Sequence, residues 1–192
     1  MTLQSVALIG RARSGKDTAA AHLVSTLHYV PVAFASPLKT AAEQLDPIVS
    51  FEPTGFGPIP VRLTDALRRW GWEEAKDRYP EVRRCLQHMG QTVRDLEPDF
   101  WLNIALSRVT EAQKWNIPVV VTDCRYPNEA EALKARGFTT VRIVRPSVRA
   151  GLAGEHESET ALDQYVTDYV VSNRGTVAEL HDAILSMVRP PF

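Results

Sequence analysis

The sequence predicts an α/β domain built on a parallel sheet. Two observations carry this. Short apolar runs of strand length, at 6–9 and 118–122, are unbroken by charge, as in strands buried on both faces. Such runs alternate along the chain with stretches of helical periodicity, the order that a parallel sheet requires. At 192 residues, 44% apolar and 23% charged, the chain has the length of one domain with a sizeable core.

Taken in order, Val6, Ala7, Leu8 and Ile9 form the first strand, which ends at Gly10. A helix over 17–27 follows, with Ala20, Leu23, Val24 and Leu27 on one stripe. Residues 29–35 are extended and lead to Ser36 and Pro37, a capping residue and a first-turn proline, which puts Lys39 near a helix N-terminus. Residues 46–60 carry Pro47, Pro53, Pro58 and Pro60 with Gly55 and Gly57, a composition that resists helix and strand alike and reads as a loop. From 63 to 106 the pattern is helical, and Val82, Leu86, Met89, Val93 and Leu96 give one apolar face. Residues 118–122 form the next central strand, with Asp123 just past its carboxyl end. Asn128 and Glu131 have capping-box spacing and Gly137 supplies a stop, so 128–136 is a helix. Strands at 140–144 and 169–172 complete the set, and Thr176 with Glu179 caps a last helix bearing Val177, Leu180, Ile184, Leu185 and Val188.

Lys plus Arg total 22 against 23 Asp plus Glu, a formal net charge of −1, so no overall positive field draws the chain to a nucleic-acid backbone. Cys85 and Cys124 are too few for a disulfide framework, lack zinc spacing, and read as buried reduced thiols. The N-terminus lacks the basic start of a signal peptide, and no run approaches the ~20 apolar residues of a membrane span. These features point to a soluble cytoplasmic protein with small-molecule substrates, no nucleic-acid partner and no membrane partner. They leave a homodimer open.

The chemistry is concentrated at Gly10-Arg11-Ala12-Arg13-Ser14-Gly15-Lys16, a G-x-x-x-x-G-K sequence set between a buried strand and an amphipathic helix. Its glycines let backbone N–H groups turn onto phosphate oxygens, the helix end adds partial positive charge, and Lys16 reaches the terminal phosphates. A nucleoside triphosphate is the expected ligand. Where Ser or Thr usually offers magnesium a hydroxyl, this chain has Asp17, with Thr18 next. Asp17 either holds Mg²⁺, directly or through water, or complements the positive helix end. Asp123 takes the place of a second acid near the metal, or is a turn-former after its strand. No glutamate follows it to polarise a water, which favours transfer to a bound acceptor over hydrolysis.

On the helix around 82–96, Arg83, Gln87, Gly90 and Arg94 line a stripe beside the apolar face, suited to a monophosphate and its base or else to a solvated flank. Residues 145–159 begin with Arg145 and Arg149, end with His156, Glu157 and Glu159, and read as a lid or as a solvated loop.

Several motifs, GRARSGKDT at 10–18, FASPLK at 34–39, RRCLQHMG at 83–90, TDCRYPNEAEAL at 122–133, VRP at 144–146 and HESE at 156–159, span nearly the whole chain in order. In them the chain resembles the phage deoxynucleoside monophosphate kinases, P-loop enzymes similar in fold to adenylate kinase. The GKDT form is usual in that family. The resemblance implies a three-layer P-loop kinase fold with a five-stranded parallel sheet: a single domain with core 1–45 and 115–192, a helical acceptor-binding insert near 46–114, and the lid. It implies ATP phosphates on residues 11–18, with Arg145 and Arg149 at the lid. The acceptor would lie near Lys39, Arg83 and Gln87, with Gly90, Arg94, His156 and Glu159 in the same set. Lys16, Arg13, Asp123, Arg125 and Arg145 would act on the reacting phosphates, with Mg²⁺ at Asp17 and Asp123. A kinase of another small acceptor, such as dephospho-coenzyme A, and a nucleotide-dependent switch are the alternatives.

Overall fold

The computed structural model describes residues 3–146 and 160–188. Its elements are β1 (Val6–Ile9), α1 (Lys16–Leu27), β2 (Val30–Val32), α2 (Ala35–Leu45), β3 (Ile48–Glu52), β4 (Ile59–Arg62), α3 (Leu63–Arg78), α4 (Pro80–Leu96), α5 (Phe100–Lys114), β5 (Val119–Val121), α6 (Pro127–Lys134), β6 (Thr139–Val144), β7 (Tyr169–Ser172) and α7 (Val177–Val188). The chain divides into two compact units, one from 1–34 with 104–192 and the other from 35–103. Helix α2 lies in the second of these units and most of α5 in the first.

The first unit holds a five-stranded sheet in the order β2-β5-β1-β6-β7, and every pairing in it is parallel. Val6 pairs with Val120 on one side and Thr139 on the other, which makes β1 the central strand. On one face Val6, Leu8, Val120, Val141, Ile143 and Val171 pack under Leu23 of α1 and Leu180 and Ile184 of α7. Ala7, Ile9 and Val121, of the opposite parity, are also fully buried, so apolar runs without alternation are what these strands need. Thr176 and Glu179 do form the expected reciprocal cap: the Thr176 N–H donates to Glu179 Oε2 at 2.7 Å, and the Glu179 N–H donates to Thr176 Oγ1 at 3.2 Å.

At the far side of the sheet, buried Thr140 at the start of β6 donates through its N–H (2.8 Å) and hydroxyl (2.7 Å) to Asp168 Oδ2, just before β7, and Lys134 lies 3.3 Å from the same carboxylate. Burial opposes ionisation of Asp168, yet the Thr140 and Lys134 contacts outweigh it and hold the carboxyl below its ordinary range. A depressed carboxylate stabilises the fold above its unfolded-state pKa and ceases to do so as the pH falls through its folded value. Asp168→Asn should therefore destabilise the protein by about 1 kcal/mol at neutral pH, a figure kept small by partial exposure. The difference should shrink toward zero below about pH 4. Denaturant titrations at neutral and acid pH measure both.

The second unit has its own core of Ala42, Val49, Val61, Leu63, Ala66, Ala75 and Val82. Residues 46–60, read above as a loop, contain the antiparallel hairpin β3–β4, in which Phe51 pairs with Pro60 and Glu52 with Ile59. Proline is tolerated because a two-stranded ribbon has outer edges that need no N–H, and Thr54 and Gly57 close the turn by mutual backbone bonds of 3.1 Å. Buried Val49 and Val61 supply the apolar side that the proline content obscured.

Three smaller expectations are also corrected. Helix α2 begins at Ala35, so Ser36 lies inside its first turn and does not cap it. Helix α6 begins at Pro127 and is closed by Glu129, not by the Asn128 and Glu131 pair. Cys124 is buried as expected, but Cys85 is only half-buried; neither is in a disulfide. Among the described residues no helix is long and apolar enough to cross a membrane.

Candidate active site

The loop from Gly10 to Gly15 joins the end of β1 to α1, and its shape is dictated from outside. Gly10 has φ +151°, and a Cβ there would sit 2.5 Å from the Ile143 carbonyl oxygen, so no side chain fits. Arg13 (φ +62°) and Gly15 (φ +108°) are left-handed, giving the tight curl in which successive N–H groups line an anion-binding concavity. Asn173, immediately after β7, donates its Nδ2 to the Ser14 carbonyl at 2.9 Å and braces the loop from the side.

Lys16 is buried, and its Nζ donates to the carbonyls of Gly10 (2.7 Å) and Arg11 (2.8 Å). The ammonium is thus folded over the loop it would share with a phosphate. Ser14 is 2% exposed, and among the described residues its Oγ has no hydrogen-bond partner, an orphan that an incoming phosphate oxygen would satisfy. A nucleotide phosphate fits this loop on both counts. Ala12, Arg13, Asp17 and Thr18 are exposed along the loop and first turn of α1, with the Asp17 charge at the positive helix end.

Beyond β5, Asp123 is half-buried and its Oδ1 accepts the N–H of Phe34 at 2.8 Å, which ties it to the exit of β2. Next to it, burial first and then the nearby Glu129 and Asp123 charges push the Cys124 thiol well up, so it stays protonated. Glu129 is 2% exposed and turns back so that Oε2 accepts the N–H groups of Arg125 (2.8 Å) and Tyr126 (3.1 Å). This buried carboxylate fixes the backbone from which Arg125 extends.

A cavity of about 310 Å³ gathers these parts: Gly10, Arg11 and Ser14 of the loop, Cys124 and Arg125 beyond β5, and Arg142, Ile143 and Arg145 from β6 and its end, with Leu162 and Asp163. Arg11, Arg125 and Arg145, expected on separate grounds, therefore line one cavity. Arg142, Asp163, Asn173 and Glu129 were not foreseen. A charge inside the otherwise apolar run Val141-Arg142-Ile143 was the available signal for the first of them. Among the described residues no group of three or more His, Cys, Asp and Glu is arranged for a metal. Asp17, exposed, and Asp123, half-buried, offer carboxylate oxygens of the kind Mg²⁺ takes together with phosphate oxygens.

In the second unit, Lys39 lies over the Trp72 ring at 5.3 Å, and Arg83 pairs with Asp77 at 2.6 Å while its Nε donates to the Lys76 carbonyl. The Lys76 hydrogen bond, then the charges of Lys76, Lys39 and Arg83, hold the Glu73 carboxyl below its ordinary range, so Lys39 and Arg83 meet around one anion. Gln87 is exposed and Arg94 half-buried on the same helix. Gly90 is buried: a Cβ there would meet Leu38 at 3.1 Å, and its carbonyl accepts Trp101 Nε1 at 3.1 Å. Its lack of a side chain serves the close approach of α2 to α4 and not an opening to a ligand. Arg149, His156 and Glu159, with all but the first two residues of the expected lid, lie outside the described residues.

A central strand ending in a phosphate-cradling loop, a buried lysine at the start of the next helix and a five-stranded parallel sheet together define the P-loop kinase fold. The dephospho-CoA kinase of Campylobacter jejuni shares the fold, with a TM-score of 0.52 at 11% identity over 96% of this chain and 94% of that one. A sequence profile of the deoxynucleotide monophosphate kinase family matches residues 61–184, and the chain belongs to that family. It is 29% identical to a protein of Acanthamoeba polyphaga mimivirus provisionally named deoxynucleotide monophosphate kinase, over 95% of each chain. It is 27% identical to the deoxynucleotide monophosphate kinase of Enterobacteria phage T4, over 56% of this chain and 45% of that one. It is also 37% identical to the uncharacterised protein ORF77 of Ictalurid herpesvirus 1, over 55% of this chain and 47% of that one. The matched region thus spans about half of the phage T4 and herpesvirus relatives and nearly all of the mimivirus one.

Proposed function

We propose that the protein transfers the γ-phosphate of ATP to a deoxynucleoside monophosphate, giving ADP and the deoxynucleoside diphosphate. The observation that carries this reading is the cavity in which the loop residues Gly10, Arg11 and Ser14 face Arg125 and Arg145. It combines an anion-binding backbone with guanidinium groups able to take phosphate oxygens in pairs. In this reading the loop from Arg11 to Thr18 binds the ATP phosphates, and Lys16 releases the Gly10 and Arg11 carbonyls to follow the transferring group. Arg13, Arg125 and Arg145 neutralise charge that spreads over its oxygens. Asp17 and Asp123 are the carboxylates assigned to Mg²⁺, which supplies further charge neutralisation when bound with the triphosphate. The acceptor's phosphate is already a nucleophile, so no general base is required, and the protein acts by alignment.

Lys39, Arg83, Gln87 and Arg94 of the second unit are assigned to the acceptor. Their support is the cluster of Lys39, Lys76 and Arg83 around Glu73, an internal carboxylate standing where an acceptor anion would bind. The reaction is placed in the cytoplasm of the host cell, where both nucleotides are found. Coupled assays of ADP release with each deoxynucleoside monophosphate test the proposal. At least one acceptor should accelerate release well above the ATP-only rate. Release that none accelerates, or that only dephospho-coenzyme A accelerates, would overturn it.

A further inference from the structure

Among the described residues, one acid lines a cavity that carries four arginines. Asp163 Oδ2 lies 2.7 Å from Arg11 Nη2, and both residues face the cavity that also receives Arg125, Arg142 and Arg145. A carboxylate beside a polyphosphate site is repulsive unless it has a structural task, and the backbone around Asp163 shows one. Arg142 reaches from β6 and its Nη2 donates to two carbonyls, Leu162 at 2.8 Å and Tyr165 at 2.6 Å, on either side of Asp163. Leu162 is itself buried. The acid is therefore held at a fixed position on the sheet, and Arg11 in turn is held by the acid.

We infer that Asp163 and Arg142 are positioning residues for the nucleotide phosphates: Arg142 locks the 162–165 backbone to β6, and Asp163, carried on it, aims the Arg11 guanidinium at the phosphate loop. A guanidinium with five donors can keep one edge on a carboxylate and turn another to a phosphate, so the pairing with Asp163 persists when the triphosphate binds. Without it, Arg11 loses one of the contacts that order its long side chain, and more of that ordering must be met on binding. The inference rests on the reading of the loop as the ATP site.

Binding of ATP and of ADP by calorimetry, with KM for ATP and for the acceptor measured separately, tests it on Asp163→Asn, Asp163→Glu, Arg11→Ala and the double variant Arg11→Ala/Asp163→Asn. Asp163→Asn should weaken ATP binding about fivefold to tenfold. It should raise the KM for ATP in parallel and leave the KM for the acceptor within about twofold. Asp163→Glu should recover most of the loss. The double variant should bind ATP no more weakly than Arg11→Ala alone, since the acid acts only through Arg11. Arg142→Lys, which keeps the charge but loses the planar fork, should reproduce the Asp163→Asn pattern, with thermal melts confirming the fold of each variant. Unchanged or tighter ATP binding by Asp163→Asn, or additive losses in the double variant, would overturn the inference. Failure of the unaltered protein to bind ATP would instead sink the underlying assignment of the loop.

Discussion

Lys16→Ala should lower the rate of phosphoryl transfer by about a hundredfold to a thousandfold, the scale on which one preorganised donor to a developing charge acts. The structure makes the loss specific. Lys16 opens α1, where alanine is a better helix former, and its Nζ donates to the Gly10 and Arg11 carbonyls, so the substitution acts on the loop. Circular dichroism and thermal melting should stay close to those of the unaltered protein while ADP release with the acceptor collapses. Transfer at a near-normal rate would remove Lys16 from the mechanism.

The largest expected effect on stability lies at Glu129. Its carboxylate is buried and accepts two backbone N–H groups, those of Arg125 and Tyr126. Glu129→Ala leaves both donors without that acceptor, and each orphan removed from water costs ~1 to 3 kcal/mol. A total of about 3 kcal/mol corresponds to a fall in melting temperature of roughly 10 °C for a chain of this size. Glu129→Gln keeps one acceptor oxygen and should lose about half as much. The alanine variant should also lose activity beyond its loss of stability, because the backbone that presents Arg125 to the cavity is no longer fixed. A melt within a degree or two of the unaltered protein would show that Glu129 does not close this turn.

The sheet was legible because its strands need no partner in the sequence to be recognised: Val6 to Ile9 and Val119 to Val121 are apolar at every position. The phosphate loop was legible because its geometry demands glycine at Gly10 and Gly15 and a lysine at Lys16, and those demands fall within seven consecutive residues. What escaped was set by distant residues. Whether Ile59 and Pro60 belong to a loop or to a strand depends on whether Glu52 and Phe51 lie opposite, and composition carries no such pairing. The stripe on α4 was identified, but Gly90 faces Leu38, 52 positions earlier in the chain, and a helical wheel cannot say which neighbour fills the gap. Asn128 and Glu131 have capping-box spacing, but the helix begins at Pro127 with Tyr126 as its N-cap, so Glu129, three residues after Tyr126, is the carboxylate that closes it.

Because all five strands of the sheet run in one direction, Gly10, Asp123, Arg145 and Asn173, which stand at or just beyond the last residue of β1, β5, β6 and β7, share one edge of it. The turns that enter the strands occupy the opposite edge. Ala135, exposed in the turn before β6 and in right-handed helical backbone, accepts a cysteine without strain; with half-buried Cys85 replaced by serine, Cys124 is too deeply buried to compete with it for a thiol reagent. A molecule tethered through that position would present the edge that carries Gly10, Asp123, Arg145 and Asn173 away from the surface, the orientation wanted for immobilised tests of the proposed nucleotide binding.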